Sequence, residues 1–202
     1  MPSFLEATNT QVEHTDGRVA RGVRTRSAIA DALYALLVDG VDNPSGREIA
    51  ERANVSLRSV FQHFEDIEAV YGELIERQHI RIAPYLIAVD KRLSLSERVE
   101  RIVELRDAMY AFAAPLRRSV GTHRTARTSH TIRRAMLVLS RLQREQLVET
   151  FPKEISNNEQ LLLQVDVSLS FDTWEQFVQQ HGLSRAATRG HMSNLATTLL
   201  VQ

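Results

Sequence analysis

The chain contains no cysteine, which excludes disulfides, thiolate metal sites and a cysteine nucleophile together. No run approaches ~20 uninterrupted apolar residues, so nothing reads as a membrane-spanning helix. The first residues, MPSFLEATNTQVEHTDG, lack an apolar stretch behind a positive cluster; the expectation is a chain without a secretory signal, placed in the cytoplasm. Absent too are GxSxG, HExxH and a glycine-rich phosphate loop after a strand. His123 and His130 are seven apart, two turns from each other on an unbroken helix and too far for one metal. Glu104 and Asp107 share a helix face but point to no acid–base partner. No catalytic constellation remains, so an enzyme, a metal or another cofactor is not expected. Net charge is also missing, since 25 basic residues balance 25 acidic ones. Any attraction to nucleic acid must therefore be local.

Helical periodicity is what the chain does have. Its 202 residues, 43% hydrophobic, suffice for the core of one medium domain or two small ones. Residues 1–20 are polar and without period and read as a flexible arm. Ile29, Leu33, Leu36 and Leu37 predict a helix from about Thr25 to Asp39, stopped by Gly40 and followed by an Asp42-Asn43-Pro44 turn. Asp66 opens a long helix that Pro84 should interrupt. Ser94 or Ser96 caps the next, which carries Val99, Ile102, Val103, Leu105, Met109 and Phe112 toward an interruption near Pro115 and a further break at Gly121. Helices over about Ala126–Thr150, Asn157–His181 and Ser184–Val201 complete the chain. Gln164 to Phe171 alternates as a half-buried strand would, but it has no partner strand. Leu163, Val167, Phe171, Trp174 and Val178 also follow steps of four and three, so the expectation stays helical. The fold class is all-α, with about nine helices.

The densest local signal is Ser45 to Phe64, SGREIAERANVSLRSVFQHF. Ser45 and Glu48 form a capping box, Ile49, Ala50 and Ala53 supply a narrow apolar face, and Asn54 tolerates the left-handed conformation that ends a helix. Ser56 caps a second helix in which Val60 and Phe64 face inward, leaving Leu57, Arg58, Ser59, Gln62 and His63 outside. That is the layout of a helix-turn-helix, whose second helix enters a major groove. On that reading Arg47 forks onto guanine, Gln62 reads adenine, Leu57 meets a thymine methyl, and Arg58 and Ser59 touch phosphate or base edges. The plain alternative for each is solvation, or packing in the case of His63.

Thr25-Arg26, Ile29, Ala32-Leu33 and Gly40, followed by Ile49-Ala50, Ala53, Val55-Ser56, Ser59-Val60-Phe61 and His63-Phe64, resemble the N-terminal domain of TetR-type (tetracycline-repressor-like) transcriptional regulators. The resemblance covers roughly residues 24–70. Four positions depart from it: Asn54 and Arg58 stand where glycine, or glycine or proline, is usual, Phe61 where tyrosine is usual, and Ile67 where lysine is usual. The last two lack a phosphate-binding group, and Glu65, Asp66 and Glu68 crowd the same helix start.

The resemblance implies a helix-turn-helix domain over 21–66 and a larger helical effector-binding and dimerisation domain over 67–202. It implies a repressor that binds a palindromic double-stranded operator as a homodimer and is released by a small-molecule effector. The DNA-facing set would be Arg24, Ser45, Arg47, Ser56, Leu57, Arg58, Ser59, Phe61, Gln62 and His63. The last two helices would pair with their mates through Leu163, Val167, Phe171, Trp174, Val178, Met192, Leu195 and Leu199. Met109, Tyr110, Phe112, Arg133, Met136 and Trp174 would line an effector pocket, although such residues equally suit plain core. The alternative is a helical protein-interaction module that has lost specific DNA binding.

Charge is unevenly spread. Gly17 to His63 holds seven Arg against five acids, with Arg18, Arg21, Arg24 and Arg26 clustered at the first helix. Residues 117–144 hold eight Arg and no acid. This is either a solvated face balanced by Glu145, Glu149, Glu154 and Glu159, a non-specific nucleic-acid contact, or an anion site. In the last case Arg117, Arg118, Arg124, Arg127, Arg133 and Arg134 would receive a carboxylate, phosphate or acyl-CoA-like effector.

Overall fold

Ile29, Leu33, Leu36 and Leu37 are buried along one stripe of the first helix, α1 (Phe4–Val38), as their spacing requires. The structure, a computed structural model, describes residues 4–122 and 129–201, with side chains described at 17, 19–118 and 129–201. α1 begins well before the expected Thr25, so the stretch read as an arm is helical from Phe4. Apart from Gly17 that stretch holds no residue opposing a helix, and the lack of an apolar period bears on burial, not on helix formation. Gly40, at φ +87°, closes α1 in a Schellman turn in which its N–H donates to Leu37 O at 3.1 Å and Val41 N–H to Leu36 O at 2.9 Å.

Two seven-residue helices, α2 (Gly46–Arg52) and α3 (Leu57–His63), pack on α1 and on each other. α4 (Ile67–Ile82) is capped by Asp66, whose Oδ1 accepts from Ala69 N–H at 2.8 Å, and ends at a 3₁₀ turn, Ala83–Tyr85, containing Pro84. α5 (Leu95–Thr122) opens on a capping box between Ser94 and Glu97, with Ser94 N–H donating to Glu97 Oε2 at 2.8 Å. The interruptions expected near Pro115 and at Gly121 do not occur. Proline removes one donor from the helical ladder, and buried Met109, Tyr110 and Ala114 fix the turns before it. α6 (His130–Thr150) is capped by Ser129 Oγ, which accepts from Ile132 N–H at 3.2 Å. The expected start near Ala126, with His123, Arg124 and Arg127, lies outside the described residues.

α7 (Glu159–Ser168) stops where one continuous helix was expected, and α8 (Phe171–Glu175) restarts on Ser170, whose Oγ accepts from Thr173 N–H at 3.2 Å. A π-helical turn, Gln176–Gln180, and α9 (Arg185–Leu200), capped by Ser184, follow. The segment 164–171 is thus helix and cap, and no strand occurs among the described residues. The break also divides the expected dimer stripe. Leu163, Val167 and Leu195 are exposed at 49%, 65% and 43%, but Phe171, Trp174 and Met192 point into the core and Val178 and Leu199 pack against it. Stepping by four and three keeps side chains on one face only while the helix is unbroken.

The chain divides into two compact units, Met1–Arg77 with Arg118–Ile132, and Gln78–Arg117 with Arg133–Gln202. The first therefore takes in most of α4, beyond the boundary expected after residue 66. Among the described residues no helix is long and apolar enough to cross a membrane, and no cluster of three metal-ligating side chains occurs.

In the second unit, α5 contributes Ile102, Val103, Met109 and Tyr110 to a core completed by Leu147, Phe151, Val165, Leu169 and Ala196. Arg98, 6% exposed, joins α5 to the end of α6 by donating to Thr150 O at 2.8 Å and pairing with Glu154 at 2.6 Å. Asp107 plays the same part for α8 and α9. Its carboxylate, buried on α5, accepts from Trp174 Nε1 at 2.9 Å, Arg185 Nη2 at 2.8 Å and Arg189 Nη1 at 2.9 Å. Burial alone would raise the Asp107 carboxyl, but the hydrogen bonds from Arg185, Trp174 and Arg189 outweigh it and hold the group below the usual carboxylate range.

Because the folded value lies below the unfolded one, this contribution is complete above the unfolded value, near 4, and fades as pH falls through the folded value. Asp107→Asn is expected to cost about 2–4 kcal/mol at neutral pH, since it leaves a buried network without its charge. Urea unfolding at pH 7 and pH 3 checks this: the wild-type advantage should shrink in acid, and an equal gap at both pH values would contradict it.

Candidate nucleic-acid interface

Local backbone chemistry builds the α2–α3 corner. Ser45 N–H donates to Glu48 Oε2 at 2.8 Å while Glu48 N–H donates to Ser45 Oγ at 3.3 Å, so the expected capping box is formed. These hydrogen bonds keep the exposed Glu48 carboxyl below its usual range. α2 buries Ile49 and Ala50 and ends with Asn54 at φ +53° in a Schellman turn, Asn54 N–H to Glu51 O at 3.1 Å and Val55 N–H to Ala50 O at 3.0 Å. Ser56 Oγ then accepts from Ser59 N–H at 3.0 Å.

α3 turns Val60 into the core, and Phe64 follows it as the cap residue. The rest of the helix faces outward: Ser56, Leu57, Arg58, Phe61 and Gln62 are exposed, and Ser59 and His63 half-buried. Ser45 and Arg47 are exposed at the start of α2, and Arg24 is exposed on α1. A Cβ built on Gly46 would lie 3.2 Å from Leu57 Cδ1, 3.2 Å from Phe61 Cζ and 3.3 Å from Ile67 Cδ1. Glycine there lets α3 close onto the first turn of α2. Two of the departures from the TetR-type pattern, Phe61 and Ile67, thus both lie against Gly46.

Charge on this unit is sorted by pairing. Arg26, which the sequence groups with the other α1 arginines, turns inward, donating to Glu73 Oε2 at 2.7 Å and to His63 O at 2.8 Å, with its guanidinium 4.2 Å from the Phe64 ring centroid. It closes the end of α3. Arg52 pairs with Asp39 at 2.8 Å, and Arg77 with Asp31 and Glu73. Among the described residues Arg21, Arg24, Arg47 and Arg58 have no carboxylate within ion-pair distance. Two of the three acids crowding the start of α4 are committed elsewhere: Asp66 is the cap, and Glu68 accepts from Ser129 Oγ at 3.0 Å and Thr131 N–H at 3.3 Å, while Glu65 stays exposed. Burial pushes the Glu68 carboxyl up, but the hydrogen bonds of Thr131 and Ser129 and the nearby His130 bring it below its usual value.

The residues expected to line an effector pocket do not form one set. Met109, Tyr110 and Trp174 are packed core, 1%, 1% and 2% exposed, with Tyr110 donating to Leu169 O at 2.7 Å. Phe112 and Met136 are half-buried, and Arg133 is exposed. A surface cleft of about 460 Å³ lies instead among Ile87, Val89, Leu93, Glu97, Glu100 and Leu105. Of the arginine-rich segment, Arg117 lies 4.1 Å from the Phe171 ring centroid, while Arg133 and Arg134 are exposed. The sequence reading missed Arg106, 1% exposed, and the inward role of Asp107. Both stand three or four residues from Val103 and Tyr110, on the apolar stripe itself, which is the signal that could have found them.

No family model matches the chain, and no curated protein matches it. Solved structures do. A TetR-family transcriptional regulator from Streptomyces coelicolor is similar with a TM-score of 0.69 and 17% identity, over 87% of this chain and 80% of that one. A transcriptional regulator from a Rhodococcus species gives 0.63 and 14%, over 87% and 96%. A structure assigned to the TetR family, from Syntrophomonas wolfei, gives 0.64 and 18%, over 89% and 96%. The chain has a TetR-type fold, all-helical, with an N-terminal helix-turn-helix and a helical C-terminal portion.

Asn54→Val is expected to destabilise the corner by about 1–2 kcal/mol, because a β-branched residue resists positive φ, whereas Asn54→Gly is expected to be neutral or slightly stabilising. Urea unfolding of the two variants checks this, and equal midpoints would contradict it.

Proposed function

We propose that the protein is a DNA-binding transcriptional regulator, a repressor acting in the cytoplasm as a homodimer on a palindromic operator. The observation that carries this reading is the exposed first turn of α3, Ser56 to Arg58, set beside the exposed start of α2, with Arg47 and Arg58 lacking an ion-pair partner among the described residues. Such a turn fits a major groove about 12 Å wide. Arg47 supplies a guanidinium for guanine O6 and N7, Gln62 an amide for adenine, Leu57 a methyl surface for thymine. Ser45, Ser59, Arg24 and Arg58 suit phosphate oxygens, which position the reader without specifying sequence. Phe61, held over Gly46, sets the height of α3 and offers no hydroxyl to a phosphate.

Two such readers about 34 Å apart would engage successive half-sites, which requires a two-fold dimer. Leu163, Val167 and Leu195 are the exposed apolar residues on α7 and α9 that favour pairing there. A small-molecule effector binding the second unit would release DNA if it prefers a shape that misplaces the readers.

A gel-shift titration with the DNA just upstream of the protein's own coding region tests the reading. Binding is expected to fall steeply with salt, as counterion release requires. Arg47→Ala is expected to lose about 1–3 kcal/mol and to relax sequence preference, whereas Arg58→Ala should weaken all sequences alike and flatten the salt slope by about one. A wild-type protein that retards no fragment, in a form shown to be folded, would instead support a helical protein-interaction module.

A further inference from the structure

α6 exposes four large apolar side chains, Leu137, Val138, Leu142 and Val148, and Leu137, at 72%, is the most exposed large apolar residue among those described. Spacings of three and four place them on one face of the helix together with Arg134, Arg141, Glu145 and Glu149, all exposed. The opposite face is already used: Leu147 and Thr150 are buried, and Leu139 packs against the core of the second unit. A helix apolar on two sides has room for two partners, and only one is supplied within the unit. From Arg134 to Glu149 the free stripe runs about 22 Å.

Charge along this face is segregated, with Arg134 and Arg141 in the N-terminal half and Glu145 and Glu149 in the C-terminal half. That order is the reverse of what the helix itself favours, since a helix N-terminus attracts acids and a C-terminus bases. Contacts within the helix do not explain it either. Glu145 and Glu149 are like charges four residues apart, which repel. Arg141 pairs with Glu145 at 3.0 Å, but Arg134 and Glu149 have no ion-pair partner among the described residues. The arrangement becomes favourable once a second copy of the helix lies antiparallel on the first, because each basic half then covers an acidic half and the two helix dipoles oppose.

We propose that α6 is a self-complementary docking face on which a second copy of this chain packs antiparallel about a two-fold axis. Arg134 of each copy meets Glu149 of the other, so the axis passes between Arg141 and Leu142. Leu137, Val138, Leu142 and Val148 of the two copies close over one another between those ion pairs. This contact is separate from the pairing of α7 and α9 in the proposed function. With both in place the assembly is a tetramer, and the α6 contact stands whether or not the protein binds DNA.

Sedimentation velocity of the full chain over a range of protein and salt concentrations tests it. An association step that weakens with salt is expected, and it should survive Leu163→Glu with Val167→Glu, which sever only the α7–α9 pairing. Arg134→Glu or Glu149→Arg alone should weaken that step roughly tenfold or more, and the two together should restore it, because the exchanged charges face each other again across the axis. The chain has no cysteine of its own, so single cysteines report the geometry. Leu142→Cys, beside the axis, should cross-link to its counterpart under copper phenanthroline, whereas Val148→Cys, about 20 Å from its counterpart, should not. Association abolished entirely by the α7 variants, a double variant no better than the single ones, or cross-linking at both positions, as parallel helices would give, would overturn the proposal. So would an Arg134→Glu chain that associates normally but loses DNA retardation, since the arginine would then belong to the nucleic acid.

Discussion

Two seven-residue helices cannot stand by themselves, and everything distinctive about the first unit follows from that. Isolated helices shorter than about 12–15 residues are marginal in water, so α2 and α3 persist only because Ile49, Ala50, Val60 and Phe64 are buried with the Ile29, Leu33 and Leu37 stripe of α1. The same constraint decides exposure. With Val60 as its buried position, α3 has to present Leu57, Arg58, Phe61 and Gln62 to solvent, and the Asn54 turn and Ser56 cap fix where its first turn begins. Tertiary burial makes the helices, and local capping aims them.

Electrostatics then refines a surface that composition leaves neutral. Arg26, Arg52 and Arg77 are consumed by Glu73, Asp39 and Asp31, and Asp66 and Glu68 by a cap and by Ser129 and Thr131. Pairing of this kind is worth little as stability when exposed. Its greater effect is to leave Arg24, Arg47 and Arg58 without an ion-pair partner among the described residues, on a unit that also carries the exposed acids Glu48, Glu51 and Glu65. A count over the whole sequence averages that distinction away.

What could be read in advance was the chemistry confined to a few consecutive residues. The Ser45–Glu48 box, the left-handed Asn54, the Ser56 and Ser94 caps and the Gly40 stop depend on neighbours within about one turn, and all are formed. The burial of Val60 and Phe64 and the exposure of Leu57, Arg58 and Gln62 were equally legible. Misreadings arose where distant packing decides. Pro115 stays within α5 because buried neighbours hold the turns before it, and the stripe from Leu163 to Val178 was assumed to lie on one helix although Ser170 carries a cap of its own. Arg26 and Asp107 find partners 37 to 82 residues away, separations at which no local pattern speaks. A helix without an apolar period, as at the start of α1, leaves no burial signal to read.

The second unit extends the same logic to charges placed inside an apolar stripe. Asp107 is fully answered by Trp174, Arg185 and Arg189, whereas neighbouring Arg106 is answered only in part. For the account as a whole the decisive question is which surface touches duplex DNA. Amide chemical-shift mapping of the protein titrated with a retarded fragment answers it most directly. The predicted result is perturbation concentrated at Ser45 to Glu48 and Ser56 to Gln62; changes confined to the second unit, with those two turns undisturbed, would contradict it.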